Sequence, residues 1–260
     1  MYQRIVSLTP SITETLFAIG AGHRVVGVTD ACDYPPEVND IPHVCAWFEP
    51  DMDRIQSLSP DLVLGLESAH SALVPVLQSL QIRFEQVNPT TVSEVLDDIN
   101  RIGRILEAGS RTDKVLKRLD QRLDKLARKL DSIQPERRLR VSRVLEIDAD
   151  HLMIAGPHSF QYDVITRAGG INISTGLEAA YPKVSFEQFK AWDPDVVFIC
   201  GSDPHRVPNL QADPRWQTLS SVSRNRLYQF HCGLTCRTGP RIVDMAELLF
   251  QTLYETTGDV

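Results

Sequence analysis

SRTDKVLKRLDQRLDKLARKLDSIQ, residues Ser110–Gln134, decides the architecture. Leu116, Leu119, Leu123, Leu126, Leu130 and Ile133 recur at alternating steps of three and four, and Lys, Arg, Asp and Gln fill most positions between. That is one apolar stripe on an amphipathic helix. Ser110 is a natural N-cap, with Asp113 three residues on to face the first exposed amides. Gly109 before the run and Pro135 after it punctuate both boundaries. At 1.5 Å per residue the helix is roughly 36 Å long, about the diameter of a small domain. A helix of that length with a single stripe predicts a backbone element joining two lobes. The run is barely three heptads and globular patterning resumes on both sides, which argues against a coiled coil.

Working outward, the 260 residues are enough for two lobes of ordinary domain size. A 42% apolar and 23% charged composition is that of a globular chain. The net charge of −7, with no basic block, argues against a nucleic-acid partner. No run of about 18 apolar residues exists, so no membrane-spanning helix is expected. Met1-Tyr2-Gln3-Arg4 leads at once into Ile5-Val6-Ser7-Leu8, which reads as a first strand rather than a signal peptide. The expectation is either cytoplasmic residence or a mature chain whose leader was removed. Cys32, Cys45, Cys200, Cys232 and Cys236 are odd in number and scattered, and read as buried or free thiols rather than a disulfide framework.

On the N-terminal side, residues 4–9 read as a short strand. A helix capped by Ser11, with Glu14 at the capping-box position, follows, and then the strand Val25–Val28. Gly20 and Gly22 follow a helix and precede a strand, so they are helix stops and not a dinucleotide fingerprint. Residues 30–52, rich in Pro and acids, read as an irregular surface loop that nevertheless carries Tyr34, Trp47 and Phe48. A helix at Pro75–Leu80, a strand at Ile82–Val87 and a helix capped at Thr91-Val92-Ser93-Glu94 complete this side. On the C-terminal side, Arg140–Ile147 reads as a strand. Gly156-Pro157 forces a turn, Ser159 caps a helix reaching Ala168, and Glu178–Lys183 is a loop with an exposed Tyr181. Leu227–Phe230 is the last strand, and a terminal helix follows Pro240.

The two sides share a pattern. Met52–Gly65 and Phe186–Gly201 each read as an acidic short helix, an x-Pro-Asp turn (Ser59-Pro60-Asp61, Asp193-Pro194-Asp195) and an apolar strand. This internal repeat, one copy on each side of the long helix, supports two similar α/β lobes. The expected division is an N-terminal lobe over 1–108, the linking helix over 109–135 and a C-terminal lobe over 136–260.

Catalytic motifs are absent: there is no G-x-S-x-G, H-E-x-x-H or P-loop. Cys200, at the end of an apolar strand, reads as a small buried thiol rather than a nucleophile. His231-Cys232-x-x-x-Cys236 has a spacing compatible with a soft metal. No second Cys or His cluster lies nearby in sequence, so packing or pocket lining is the favoured reading and no metal site is assigned. His43, His70 and His158 fall on loops, where a neutral imidazole can ligate a cofactor metal but more often meets solvent.

Arg4–Ser11 with Thr13-Glu14, Val26–Thr29, Asp33–Pro36, Trp47 and Pro60–Val63 resemble the substrate-binding components of ABC importers for vitamin B12, ferric siderophores and haem. So do Ala155-Gly156-x-x-Ser159-Phe160, Ala168–Gly170, Val184-Ser185-x-Glu187, Pro194–Val197 and Pro240-Arg241, and the likeness is greatest to the cobalamin binders. The resemblance implies two Rossmann-like α/β lobes joined by one backbone helix, with a ligand cleft between the lobes. It implies ligand contacts from Tyr34, Trp47, Tyr181 and Arg237, with Gly156 and Phe160 at the second lobe's matching turn. Phe48 and His70 join them by loop position. Asp53 and Glu187 match the acids through which such proteins dock on arginines of the permease; capping of their own helices is the alternative role.

The resulting expectation is a non-enzymatic, monomeric, periplasmic or cell-surface protein, without a cofactor, that binds a corrinoid and hands it to an ABC permease. A ferric siderophore or haem is the alternative ligand. A cytoplasmic tetrapyrrole- or metal-handling enzyme or chaperone on the same scaffold is the alternative of a different class.

Overall fold

The computed structural model describes residues 1–46 and 49–255. The chain divides into two compact units. The first holds Met1–Pro89, Ser93–Asp120 and Arg237–Pro240; the second holds Thr90–Val92, Gln121–Cys236 and Arg241 onward.

The first unit begins with β1 (Ile5–Ser7), α1 (Pro10–Ala18), β2 (Val25–Thr29), β3 (His43–Ala46), β4 (Glu49–Pro50) and α2 (Met52–Ser57). It continues through β5 (Leu62–Leu66), α3 (Glu67–His70), α4 (Val74–Ser79), β6 (Arg83–Val87) and α5 (Val92–Ile105) into α6 (Gly109–Asp131). Its sheet runs β4-β3-β2-β1-β5-β6, parallel throughout except for the antiparallel edge strand β4. Strands buried on both faces must be apolar throughout, and Leu62, Val63 and Leu64 of β5 are fully buried. Val6, Leu8, Val44, Ile55, Val63 and Leu77 form the core on one side of this sheet.

The second unit contains β7 (Arg140–Ile147), β8 (His151–Ile154), α7 (Phe160–Arg167), β9 (Ile171–Asn172), β10 (Lys183–Ser185) and α8 (Phe186–Trp192). After these come β11 (Val196–Cys200), α9 (Arg206–Ala212), α10 (Ser220–Ser223), β12 (Leu227–Phe230), α11 (Cys232–Thr235) and α12 (Ile242–Tyr254). The sheet order is β10-β8-β7-β11-β12, with β9 pairing β7 and with β8 antiparallel to both neighbours. Trp216 and Phe189 sit at the centre of its core, their rings 6.2 Å apart. No helix among the described residues is long and apolar enough to cross a membrane.

The long helix is present, but it starts at Gly109 and ends at Asp131, so Ser110 lies inside it and is not its N-cap. The last turn unwinds through i→i−3 bonds from Ser132 to Lys129 and from Ile133 to Leu130. Its packed line is Thr112, Val115, Leu119 and Leu126, while Leu116, Leu123 and Leu130 are half-buried.

Two other boundaries differ from expectation. The first helix is capped by Thr9, whose Oγ1 accepts from the Ile12 N–H at 3.4 Å, and not by Ser11. Pro10 fixes the helical φ one residue earlier, which turns Ser11 into a buried helical residue. Residues 30–52 are not wholly irregular: β3 and β4 form one edge of the sheet. Both are too short for alternation to reveal them.

The repeat is real and in one unbroken register. Asp51 caps α2 by accepting from Arg54 N–H, and Ser185 caps α8 by accepting from Gln188 N–H at the matching position. Ile55 and Phe189 are the matching fully buried residues of the two helices, each 0% exposed; α8 also buries Phe186. Ser59 and Asp193 both take left-handed φ, 45° and 41°, ahead of the shared proline. The Asp61 carboxylate accepts from the Gln3 and Arg4 N–H groups at 2.7 and 3.0 Å, fixing the entry to β1. Asp195 accepts from Arg140 N–H at 2.9 Å, fixing the entry to β7. Each x-Pro-Asp turn thus ties its strand to the neighbouring parallel strand.

Candidate functional site

Asp53 and Glu187 occupy the second helical position of α2 and α8, and both are exposed. The capping bonds of these helices come from Asp51 and Ser185. Capping therefore does not account for either acid.

In the first unit, Tyr34 stands 45% exposed at a cis Tyr34–Pro35 bond. In the second, Tyr181 is 40% exposed while its hydroxyl donates to Gln161 Oε1 at 3.1 Å. Burial pushes the Tyr181 phenol up from its ordinary value, against the bond to Gln161. Every other described aromatic side chain is buried or half-buried. Gly156 positions the Tyr181 loop. Its N–H donates to Ala180 O at 2.8 Å, and a Cβ there would lie 2.0 Å from Ala179 O. Phe160, 9% exposed, opens α7 directly after the capping Ser159, whose Oγ accepts from Tyr162 N–H. Trp47 and Phe48 lie outside the described residues.

Arg237 is committed within the first unit. One terminal nitrogen donates to Glu14 Oε1 at 2.9 Å and Asp33 Oδ1 at 2.6 Å, and the other to Ala31 O at 3.0 Å. Burial works against its charge, yet these two carboxylates outweigh it and hold the guanidinium more basic than usual. Glu14, only 3% exposed, is thereby the partner of a buried ion pair and not a capping-box residue. His70 is 1% exposed, and its Nδ1 accepts from the Leu66 N–H at 3.0 Å. Burial lowers its basicity, so the neutral imidazole closes the end of β5. His43 is exposed on β3 with Nδ1 2.8 Å from Asp30, and His158 is exposed before α7.

The sequence marks Cys232 and Cys236 as a spacing a soft metal could use but not Cys200 as their neighbour. Cys200 ends β11, Cys232 opens the single turn α11, and Cys236 closes it. Their three sulfur atoms lie within 4.8 Å of one another. Cys200 is therefore not an isolated core thiol. Cys236 donates to Cys200 Sγ at 3.4 Å. That bond, opposed by burial and aided by the charge of Arg143, holds Cys200 well below the ordinary thiol range; the same bond raises Cys236. Arg143 itself is 1% exposed and donates to Cys236 Sγ at 3.7 Å. An arginine in the middle of a strand, Val141-Ser142-Arg143-Val144, flanked by valines on both sides of the Ser-Arg pair, is the available sequence signal for a buried charge there.

The periplasmic binding protein signature matches residues 5–231. A vitamin B12-binding protein of Yersinia pestis is 26% identical over 252 residues, covering 96% of this chain and 86% of that protein. The periplasmic vitamin B12 binding protein BtuF of Vibrio cholerae superposes with a TM-score of 0.84 at 26% identity, over 97% of this chain and 96% of that one. A periplasmic heme binding protein of Pseudomonas aeruginosa superposes with a TM-score of 0.87 at 23% identity, over 98% and 94%. At that identity the last likeness is one of fold. Matched from its first strand to the end of its last, this chain belongs to the periplasmic binding protein family.

Proposed function

We propose that this chain is the substrate-binding component of an ABC importer, acting outside the cytoplasmic membrane, and that its ligand is a corrinoid. The observation that carries the reading is the pair Tyr34 and Tyr181. They are the exposed aromatic side chains among the described residues, and each unit supplies one. A large flat macrocycle gains most from aromatic faces, with few polar groups needed to orient it. Whole-length likeness to vitamin B12-binding proteins supports the same ligand.

A charged ferric chelate or haem fits less well. Arg237 already serves Glu14 and Asp33. The raised phenol of Tyr181 resists becoming the phenolate that ferric iron would take. In this reading Arg237 shapes the Asp33-Tyr34 turn from behind, and Asp53 and Glu187 present charge to arginines of the permease.

Calorimetric titration with cyanocobalamin, with haem and a ferric siderophore in parallel, tests the assignment. One-to-one binding of cobalamin, weakened about fivefold or more in Tyr34→Ala and in Tyr181→Ala, is the expected result. Binding of haem or siderophore in place of cobalamin overturns the corrinoid and leaves the fold untouched.

A further inference from the structure

Cys200, Cys232 and Cys236 form a constellation to which the proposed function gives no role. They come from two elements of the second unit. β11 delivers Cys200 at its carboxyl end, and α11 sets Cys232 and Cys236 four residues apart, on one face of a single helical turn. α11 is held in place by its own bonds. Gly233 N–H donates to His231 Nδ1 at 3.1 Å, Thr235 Oγ1 donates to His231 O at 3.3 Å, and Arg241 donates to Gly233 O at 3.0 Å. His231 therefore caps the turn and leaves ligation to the sulfurs.

From this geometry we propose that the three cysteines are a thiolate site for one divalent, thiophilic d10 cation of the zinc class. Sulfurs bound to zinc at about 2.3 Å in tetrahedral geometry stand about 3.8 Å from one another. Cys200 and Cys236 are 3.4 Å apart and all three sulfurs lie within 4.8 Å, so only small side-chain rotations separate this arrangement from a coordinated one. Charge favours a divalent ion. Three thiolates around a divalent cation leave one negative charge, and the buried guanidinium of Arg143 supplies one positive charge beside Cys236. Among the described residues its Nε has no hydrogen-bond partner. A monovalent ion would leave two negative charges against that one guanidinium. Cys232 and Cys236 are exposed, which gives the ion a route in and leaves the fourth position to solvent or an exchanging ligand. On binding, any remaining thiol protons pass to water.

The experiment uses the full chain, reduced and metal-free, without corrinoid, so that its outcome is separate from that of the ligand assignment. Cd2+ is titrated while the ultraviolet thiolate-to-metal absorption is read, and Zn2+ affinity is measured by competition with a chromophoric chelator. The expected result is one equivalent bound. Affinity falls at least about 100-fold in Cys232→Ser, whose exposed position leaves folding unchanged, and stays the same in Cys45→Ala. Three results overturn the proposal: no charge-transfer band, affinity indifferent to Cys232→Ser, or stoichiometric Cu+ binding with none of Zn2+ or Cd2+. A reduced protein that takes no metal, and that loses two thiols and two mass units in air, marks a redox pair and also overturns it.

Discussion

The two copies of the helix, x-Pro-Asp turn and strand are the same device up to the last residue of the strand, and there they part. Asp51 and Ser185, Ile55 and Phe189, Ser59 and Asp193, and Asp61 and Asp195 correspond position by position. Leu66 and Cys200 are then the final strand residues. Beyond Leu66 the chain turns into α3 and buries His70, whose Nδ1 takes the Leu66 N–H. Beyond Cys200 the strand end meets the thiols of α11 and the guanidinium of Arg143. Scaffold chemistry is shared between the units, whereas the carboxyl ends of the parallel strands, where α/β sheets place ligands, are individual.

If the copies share a packing role, emptying either core position must destabilise its own unit substantially. Phe189→Ala removes the ring that packs on Trp216 and is expected to cost about 3–5 kcal/mol; Ile55→Ala is expected to cost about 2–4 kcal/mol. Denaturant titration followed by tryptophan fluorescence and far-ultraviolet circular dichroism measures both. A cost below about 1 kcal/mol at either position breaks the equivalence.

The turn aspartates come next. Asp61 takes two backbone N–H bonds and Asp195 one, with Arg224 3.3 Å away as an exposed ion-pair partner. A hydrogen bond to a charged group contributes about 1.5–3 kcal/mol when well buried and less at this exposure. Asp61→Ala is therefore expected to cost about 2 kcal/mol and Asp195→Ala about 1, and the reverse order would show that Arg224 contributes more than the second N–H.

The strand ends differ in their response to acid. His70 is held below its ordinary value of about 6.5, so protons bind the unfolded chain more readily. Its contribution to stability is complete above about pH 6.5 and is lost as pH falls from there toward its folded value. The denaturation midpoint of the wild type should drop more between pH 7.5 and 5.5 than that of His70→Asn, whose carbonyl can still accept the Leu66 N–H. Equal drops would remove His70 from the account.

What could be read in advance follows the range of each interaction. The long helix, the repeat and most strands rest on periodicity and turn chemistry within a few residues, and the sequence carried them. Its finer ends were misplaced because Pro10 and the last-turn geometry of α6 decide them locally and weakly. Tyr34 and Tyr181 were legible because an aromatic in a Pro- or Gly-rich loop has few places to hide. The resemblance assigns Arg237 to the ligand; the carboxylates it binds in the structure, Glu14 and Asp33, lie more than two hundred positions away in the chain, out of reach of any local pattern. Cys232 and Cys236 are legible as a pair, but their third neighbour is not, for the same reason: Cys200 is separated from them by α9, α10 and β12, and only the sheet order brings β11 beside the element that leads into α11.

The smallest expected effect is also the most discriminating. At the start of α2 and α8 one residue caps and another, two positions on, is exposed and acidic. Asp51→Ala and Ser185→Ala each remove a side-chain acceptor from an N3 amide and should cost about 1 kcal/mol. Asp53→Ala and Glu187→Ala remove only a favourable charge near a helix N-terminus and should change stability by no more than about 0.5 kcal/mol. If these acids serve the permease, Asp53→Ala with Glu187→Ala leaves ligand affinity and unfolding midpoint near wild type but abolishes stimulation of the partner transporter's ATPase. The capping variants, at matched folded concentration, retain it. Should the double variant stimulate normally, the acids would be ordinary surface charge, and the repeat would be an architectural feature without a docking role.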